Sequence, residues 1–237
     1  MPRQQDGIGG RTVRLIAGVA LAALTAAPAA AAEQTYPVGR FSEISASSPA
    51  EVQVRTGAPA SARAVGDAAA LSRLDVHVEG DKLVIRTRRG MRWPGRARAT
   101  VYVTVPALRA ASVAGSGDVR VDRVAGPDFA GSVAGSGNLA VAELRTRTAT
   151  LASAGSGNIN AAGVVDQLQA SAAGSGNIDA RRVRARSARV SAVGSGNVEA
   201  QASQQAEVVS VGSGNAIVSG TTNCRVRARG SGEARCG

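Results

Sequence analysis

Apolar and polar positions alternate on both sides of a glycine-containing tripeptide that recurs through the second half of the chain. Around Gly174, for example, Leu168, Ala170 and Ala172 precede the glycine at every second position, and Ile178 follows it. Polar residues stand between the apolar ones before the glycine. Alternation with a period of two predicts strands with one buried face, one strand running into the tripeptide and one leaving it.

The tripeptide is Gly-Ser-Gly, and it recurs seven times at intervals of 18 to 20 residues. The seven copies begin at Gly115, Gly135, Gly155, Gly174, Gly194, Gly212 and Gly230. Asparagine follows five of them, at Asn138, Asn158, Asn177, Asn197 and Asn215. Self-similarity at a fixed period indicates a stack of equivalent units.

The chemistry of the repeated residues predicts how these units stack. A tight bend requires backbone angles that glycine adopts without steric cost, and stacked bends approach to about 4.8 Å, which leaves little room for a Cβ. Asparagine side chains in the same column would hydrogen-bond amide to amide. Each unit repeats the same strand in the same direction, so we expect an all-β fold, a parallel β-helix or solenoid of about seven rungs, with a second and looser bend in each rung. Antiparallel hairpins would break the asparagine column.

Residues 33–110 lack the tripeptide but show the same alternation. Residues 51–56 and 100–105 each alternate, and Gly80-Asp81 separates the apolar runs 74–78 and 83–85 as in a hairpin. The first rung of a solenoid exposes an open sheet edge that another element must cover. We therefore predict a β-rich cap over residues 33–110, followed by the repeat solenoid over residues 111–237.

Composition and the N-terminus indicate an exported protein. Aromatic residues make up 2% of the chain, and most apolar residues are alanine or valine, which suits a thin interior of short side chains. Arginines precede an apolar run at 15–27, and Ala30-Ala31-Ala32 fits the small-residue rule for cleavage. Residues 1–32 are therefore predicted to be a signal peptide, with the mature chain exported to the periplasm, the cell surface or the medium. No later run is long and apolar enough for a transmembrane segment.

The two cysteines, Cys224 and Cys236, stand six residues before and six after Gly230. In the repeat frame both side chains point into the interior, on the two strands that flank the last bend. An exported protein encounters oxidising conditions, so we predict a disulfide that closes the final rung and contributes about 3 kcal/mol. Two buried free thiols are the alternative.

The net charge of +11 favours anionic partners such as lipopolysaccharide or an acidic envelope glycan. In an exported protein nucleic acid is the least favoured of these, and we expect no nucleic-acid partner. Two arginine runs are candidates for anion binding, although exposed positions filled with arginine for no specific purpose would give the same pattern. The candidate residues are Arg86, Arg88, Arg89, Arg92, Arg181 and Arg182.

The sequence contains few residues that indicate a catalytic site. His77 is the only histidine, and the serines of the tripeptide are explained by stacking. Asp118, Asp122 and Asp128 form the only local acidic group, which could hold calcium or equally be solvated. We expect no catalytic residue, no cofactor and no metal site.

The repeated motif resembles the head GIN domain family, which is described as an auto-transporter adhesin of the bacterial envelope. The Gly-Ser-Gly-Asn-Ile sequences at 155–159 and 174–178 carry the resemblance. Residues 40–44, 80–85 and 103–106 add the opening, hairpin and pre-repeat elements in the same order.

The resemblance covers roughly residues 36–236. It implies a right-handed parallel β-helix on the cell surface or in the periplasm, and it implies no reaction and no catalytic residue. Our first hypothesis is a non-enzymatic envelope protein whose solenoid serves adhesion-like binding or a structural role. The alternative is a glycan-active enzyme, of lyase or hydrolase type, on the same scaffold, which would require a groove with converging carboxylates. The oligomeric state stays open.

Overall fold

The computed structural model describes residues 32–237, and their regular structure is β-strand apart from one short helix. The predicted all-β solenoid is confirmed. The predicted signal peptide, apart from Ala32, lies outside the described residues. None of the described residues belongs to a helix long and apolar enough to cross a membrane.

The elements follow one another in two groups. The first group is β1 (Ala32–Tyr36), β2 (Glu43–Ser47), β3 (Glu51–Thr56), β4 (Ser61–Gly66), α1 (Ala68–Leu71), β5 (Leu74–Glu79), β6 (Lys82–Thr87) and β7 (Ala99–Val105). The second group, the repeats, is β8 (Ala110–Val113), β9 (Val119–Val121), β10 (Val124–Val133), β11 (Leu139–Ser153), β12 (Ile159–Gly174), β13 (Ile178–Gly194), β14 (Val198–Gly212), β15 (Ala216–Ser219), β16 (Cys224–Gly230) and β17 (Ala234–Cys236).

A full rung has three inward-facing stretches. In β11 alternate side chains are buried at 139–141, at 144–146 and at 149–153, and the alternation breaks at 142–143 and 147–148, where two consecutive side chains are not buried. Each break turns a corner, because the chain must change direction to keep its apolar side facing one interior. We call the stretch that leaves a Gly-Ser-Gly bend the back wall, the middle stretch the side wall, and the stretch that runs into the next bend the front wall.

The side wall differs from the sequence-based expectation. The stretch expected to form only a loose second bend pairs in parallel from rung to rung, with Val124 beside Leu144, Leu144 beside Gly163 and Gly163 beside Val183. The register shifts at the corners: between the back and side walls, for instance between Asn160 and Ala162, and in one pair of rungs also between the side and front walls, between Ala185 and Ser187. The interior is therefore enclosed by three walls.

Equivalent residues of successive rungs lie directly above one another in the core. One back-wall column, in which every side chain is at most 1% exposed, consists of Leu139, Ile159, Ile178, Val198 and Ala216. Full burial of a leucine or isoleucine side chain contributes about 2 kcal/mol relative to exposure. The repeated apolar positions thus stabilise the stack along its whole length.

The parallel stack continues into the region before the repeats, in an order that differs from the chain order. On the front wall β2 lies between β6 and β8, and on the back wall β3 lies between β7 and β9, all in parallel register. The unit formed by β6 and β7 is therefore outermost, although it follows β2 and β3 in the chain. Residues 33–110, predicted to be a cap, thus contribute two levels of the solenoid as well as the elements that cover its end.

Antiparallel strands and the helix cover the N-terminal end of the stack. β5 pairs with β6, β4 pairs with β7, and β1 adds to β4, all antiparallel. The helix α1 buries Ala70 and Leu71 against this end. The reversal of strand direction ends the parallel stack, as a cap requires.

The C-terminal end is formed by β16 on the front wall and β17 on the back wall. The predicted disulfide joins Cys224 and Cys236 across the last bend, with the two Cα atoms 6.3 Å apart. Among residues 32–237 no element covers this end, and the inward-facing Val226 is 43% exposed.

Candidate functional site: a polar groove on the front wall

The Gly-Ser-Gly bends form a closely packed column of backbone. A Cβ on Gly155 would lie 2.6 Å from the carbonyl oxygen of Gly135, and a Cβ on Gly194 would lie 2.6 Å from that of Gly174. Gly194 also has a φ of 111°, which side chains with L configuration rarely adopt. Steric exclusion and backbone conformation therefore both require glycine here, and the bends leave no space for a ligand.

The asparagines after the bends form a hydrogen-bonded column beside them. Asn158 Nδ2 donates to Asn138 Oδ1 at 3.0 Å, and the Asn158 backbone N–H donates to the same oxygen at 3.1 Å. The same pair of bonds joins each later member to the one before it, through Asn177, Asn197 and Asn215. This asparagine column links the rungs, so these residues have a structural role.

Asp118 occupies the first position of this column and accepts hydrogen bonds from the next member. Asp118 Oδ1 accepts from both the backbone N–H and the Nδ2 of Asn138, at 3.0 and 2.8 Å. Asp122 Oδ1 accepts from the backbone N–H groups of Thr56 and Arg123. Of the three acidic residues considered for calcium, Asp118 and Asp122 are thus engaged separately, and Asp128 is exposed. Among residues 32–237 no three histidine, cysteine or acidic side chains converge on one point.

A polar groove of about 420 Å³ runs along the outer side of the front wall near its corner with the side wall. It crosses four successive rungs, from β12 to β16. Its polar side chains are Gln167, Gln169, Ser187, Arg189, Gln205, Glu207, Asn223 and Arg225.

The repeat register creates this groove by aligning two columns of outward-facing side chains. The residues seven positions before successive bends are amides or a hydroxyl, namely Gln167, Ser187, Gln205 and Asn223. The residues five positions before the bends are Gln169, Arg189, Glu207 and Arg225. Both columns face outward because the residues between them, six before each bend, face the interior. Neighbours in a column are separated by about 4.8 Å.

Charge alternates over the last three residues of the second column, Arg189, Glu207 and Arg225. Arg189 Nε lies 3.0 Å from a carboxylate oxygen of Glu207, and Arg227 Nη1 lies 3.7 Å from the other oxygen. Arg225 has no carboxylate partner within residues 32–237. The Arg189–Glu207 pair is partly exposed to water and contributes about 1 kcal/mol or less to folding. Because Arg225 lacks such a partner, it is the groove arginine available to an anionic ligand.

The groove offers hydrogen bonds but little catalytic chemistry. The amides of Gln167, Gln205 and Asn223 have no side-chain hydrogen-bond partner in the described part of the chain, so their donors and acceptors are open to a ligand. Glu207 is the only carboxylate that lines the groove. Hydrolysis of a glycosidic bond ordinarily needs a pair of carboxylates, which this groove lacks.

The arginines predicted for anion binding lie in two separate places, and several are already paired. Arg86 binds the Asp75 carboxylate at 2.9 Å, and Arg88 donates through Nε to the carbonyl oxygen of Leu74 at 3.0 Å. Arg89 and Arg92 are exposed in the loop after β6.

The second arginine run lies several rungs away from the first. Arg181 binds Asp179 at 2.7 Å and Glu199 at 3.3 Å, while Arg182 is exposed. The hydrogen bond from Arg181 lowers the pKa of Asp179, and the same bond raises the pKa of Arg181. Five strand spacings separate β7 from β13 on the back wall, about 24 Å. The structure therefore does not bring the two runs together.

His77 lies between two carboxylates on the outer face of β5. Its Nδ1 is 3.1 Å from Asp75 and its Nε2 is 2.7 Å from Glu79. The bond from His77 lowers the pKa of Glu79. Both ring nitrogens are engaged within the cap, which accounts for this histidine structurally.

The groove was missed at the sequence level, although a signal was present. The inward-facing positions are easy to recognise because apolar and polar residues alternate regularly there. The outward-facing positions resemble ordinary solvent-exposed residues. A column of Gln, Ser, Gln and Asn at one repeat position, seven before Gly174, Gly194, Gly212 and Gly230, is the pattern that would have revealed it.

Comparison with known proteins places this solenoid in a family. The family model described as "Putative auto-transporter adhesin, head GIN domain" matches residues 40–222. The chain belongs to the head GIN domain family. The resemblance seen in the bends and in the residues before them is thereby confirmed. Among curated proteins, none is similar in sequence to this chain.

Solved structures share the fold of this head GIN domain protein at low sequence identity. A putative adhesin from Bacteroides fragilis superposes with a TM-score of 0.83 at 20% identity, covering 88% of this chain and 98% of the other. A putative lipid binding protein from Parabacteroides distasonis gives a TM-score of 0.68 at 20% identity, covering 88% and 97%. A putative adhesin from Parabacteroides merdae gives 0.66 at 16% identity, covering 88% and 97%. At these identities the likeness establishes the fold alone.

Proposed function

We propose that this head GIN domain protein is exported to the bacterial envelope and binds an anionic envelope glycan, lipopolysaccharide included, without acting as an enzyme. The family description as an adhesin supports a binding role. The charged N-terminus followed by an apolar run and Ala30-Ala31-Ala32 supports export to the periplasm or the cell surface.

The observation that carries this proposal is the column of polar side chains in the groove, in which three amides are open and the Ser187 hydroxyl donates to the carbonyl oxygen of Asp166 at 3.4 Å. Gln167, Gln205 and Asn223 each present a donor and an acceptor, which is what sugar hydroxyls require. Four positions at about 4.8 Å intervals span about 14 Å, enough for a short run of sugar rings. Arg225 stands at the end of the adjoining column and would pair with a carboxylate or phosphate on the glycan.

The glycan-active enzyme is the second candidate, and the composition of the groove counts against it. Glu207, its single carboxylate, is engaged by Arg189 and Arg227 and has no second carboxylate opposite it. An acid and a base of matched pKa, as hydrolysis requires, are therefore missing from the groove.

The exposed arginines Arg89, Arg92 and Arg182 are proposed as peripheral contacts for phosphate-rich lipopolysaccharide.

A binding screen on residues 33–237 against acidic glycans and lipopolysaccharide tests this function. We expect at least one acidic glycan to bind, and the double variant Gln167→Ala/Gln205→Ala to weaken that binding by about tenfold, or 1.4 kcal/mol. Gln204→Ala is the matched control, because Gln204 neighbours Gln205 but its side chain does not line the groove. Equal loss in both variants, or no binding by any acidic glycan, contradicts the proposal.

A further inference from the structure

Among residues 32–237, nothing covers the interior of the solenoid at its C-terminal end. Val226 in β16 occupies the same inward position as Val208 in β14, which is 0% exposed, yet Val226 is 43% exposed. Ala228, the next inward-facing residue of β16, is also exposed. The opposite end of the stack is covered by α1 and antiparallel strands. The two ends of the solenoid therefore differ in whether an element of residues 32–237 covers the interior.

One side of the β16 backbone has no pairing strand within the described part of the chain. The N–H of Ala206 in β14 donates to the carbonyl oxygen of Asn223 at 3.0 Å, which fixes the phase of the parallel ladder. Successive residues of a strand direct their N–H and C=O groups to opposite sides. The backbone groups of Arg225 and Arg227 thus face β14, and those of Val226 and Ala228 face outward from the sheet. An edge of this kind is a template for an added strand.

Charge on the outer face of this edge indicates what kind of strand would fit. Arg225, Arg227 and Arg229 stand at alternate positions of β16, all exposed. On the outer face of the neighbouring strands, Arg189 is opposite Glu207, and Glu207 is opposite Arg225. Continuing this alternation for one more strand places a carboxylate opposite Arg225. Opposite charges directly across a strand pair are favourable and like charges are unfavourable.

We propose that the free edge of β16 binds an extended acidic segment of a partner protein by strand addition. The segment has aspartate or glutamate at alternate positions, facing the three arginines. Small apolar residues lie between them and cover Val226 and Ala228. The partner strand supplies the backbone hydrogen bonds and closes the interior in the same step.

A second copy of this chain fits the edge poorly. Pairing two C-terminal ends would place two rows of arginines opposite one another. Pairing this end with the capped end of another copy would bring it to the loop after β6, which carries Arg88, Arg89 and Arg92. The carboxylates at the capped end, Asp75 and Glu79 on β5, are already paired with Arg86 and His77. An acidic partner with unpaired carboxylates is therefore favoured over self-association.

The test uses a fluorescein-labelled peptide, Gly-Glu-Val-Glu-Ala-Glu-Gly, titrated with residues 33–237 and followed by fluorescence anisotropy. We expect saturable binding at micromolar concentration, on the order of 8 kcal/mol. A peptide with lysine in place of each glutamate is the charge control and is expected not to bind. Amide hydrogen exchange is expected to show new protection at Val226 and Ala228, with no change at Arg227, which is already bonded within the sheet.

A pair of variants separates strand addition from charge attraction. Val226→Pro and Val226→Ala both remove the apolar side chain, but only proline removes the N–H at the free edge. We expect Val226→Pro to weaken peptide binding by about tenfold relative to Val226→Ala. The double variant Arg227→Glu/Arg229→Glu is expected to lose the glutamate peptide and bind the lysine peptide, whereas Arg147→Glu, far from the edge, leaves the preference unchanged.

Three results overturn the proposal. One is the absence of saturable binding by the glutamate peptide. Another is equal binding by Val226→Pro and Val226→Ala, because attraction between charges alone needs no edge N–H. The third is dimer formation without peptide in analytical ultracentrifugation, accompanied by protection at Val226, which would assign the edge to a second copy. Far-UV circular dichroism of each variant verifies that the solenoid is folded.

Discussion

The asparagine column predicts a measurable cost for removing one amide from the middle of the stack. Asn158→Ala deletes the bond from Asn158 Nδ2 to Asn138 at 3.0 Å. It also removes the acceptor of two bonds from Asn177, its backbone N–H at 3.1 Å and its Nδ2 at 3.0 Å. A net value of about 1 kcal/mol per bond gives about 3 kcal/mol, which falls to about 2 kcal/mol because water reaches the partly exposed column.

Thermal and urea denaturation, followed by far-UV circular dichroism, measure this cost. For a chain of this size about 2 kcal/mol lowers the Tm by about 4–8 °C. Asn160→Ala is the matched control, because Asn160 lies two residues further along the same rung, is exposed, and has no side-chain hydrogen bond among the described residues. If the two variants unfold within about 0.5 kcal/mol of each other, the column is not a source of stability and the reasoning is refuted.

Three further changes probe the bend, the final rung and the acid range. Gly194→Ala is expected to destabilise the fold by about 2 kcal/mol or more in urea denaturation, since its Cβ meets backbone at a positive φ, whereas Gly39→Ala, in open space, has little effect. Cys224→Ser is expected to increase amide exchange in the last rung and leave the cap unchanged; uniform loosening of both ends would contradict this. The hydrogen bond from Arg181 lowers the pKa of Asp179, so this carboxylate stabilises the fold above about pH 4, and the effect fades as the pH falls through the lowered pKa. The stability gap between the wild type and Asp179→Asn should therefore shrink from about pH 6 to about pH 2, and a constant gap would argue against the ion pair.

The repeat region could be predicted because three independent constraints coincide in it. The close approach of stacked backbones requires glycine at the bends. The buried interior requires apolar residues at alternate positions, and the hydrogen-bonded column requires asparagine after each bend. Each constraint recurs at every rung, so the register of Cys224 and Cys236 followed directly from the position of Gly230. Local chemistry of this kind can be read from one chain.

The side wall and the groove could not be predicted with the same arguments. The side wall carries two inward residues per rung between corners of variable length, as at 144–146 and 163–165, so its alternation is too short to recognise. The groove arises from side chains about 20 residues apart that approach only after stacking, and each of them looks like an ordinary solvent-facing position. The order of β2, β3, β6 and β7 depends on long-range pairing, which no local pattern encodes.

The nested order of the first levels constrains how the chain can fold. β2 and β3 are each bonded on both sides by segments that come later, and the last of these, β9, ends at Val121. A chain emerging from its N-terminus, during synthesis or translocation, therefore cannot complete its first layer until about half of it has been delivered. From that point each new rung can pair with a rung that is already folded. We therefore expect the repeats to be added in one direction, with the basic end at β16 among the last parts to fold. We therefore expect the slow step of folding to involve the first 121 residues, and we expect that adding or deleting rungs further along would change the length of the solenoid without changing how folding starts.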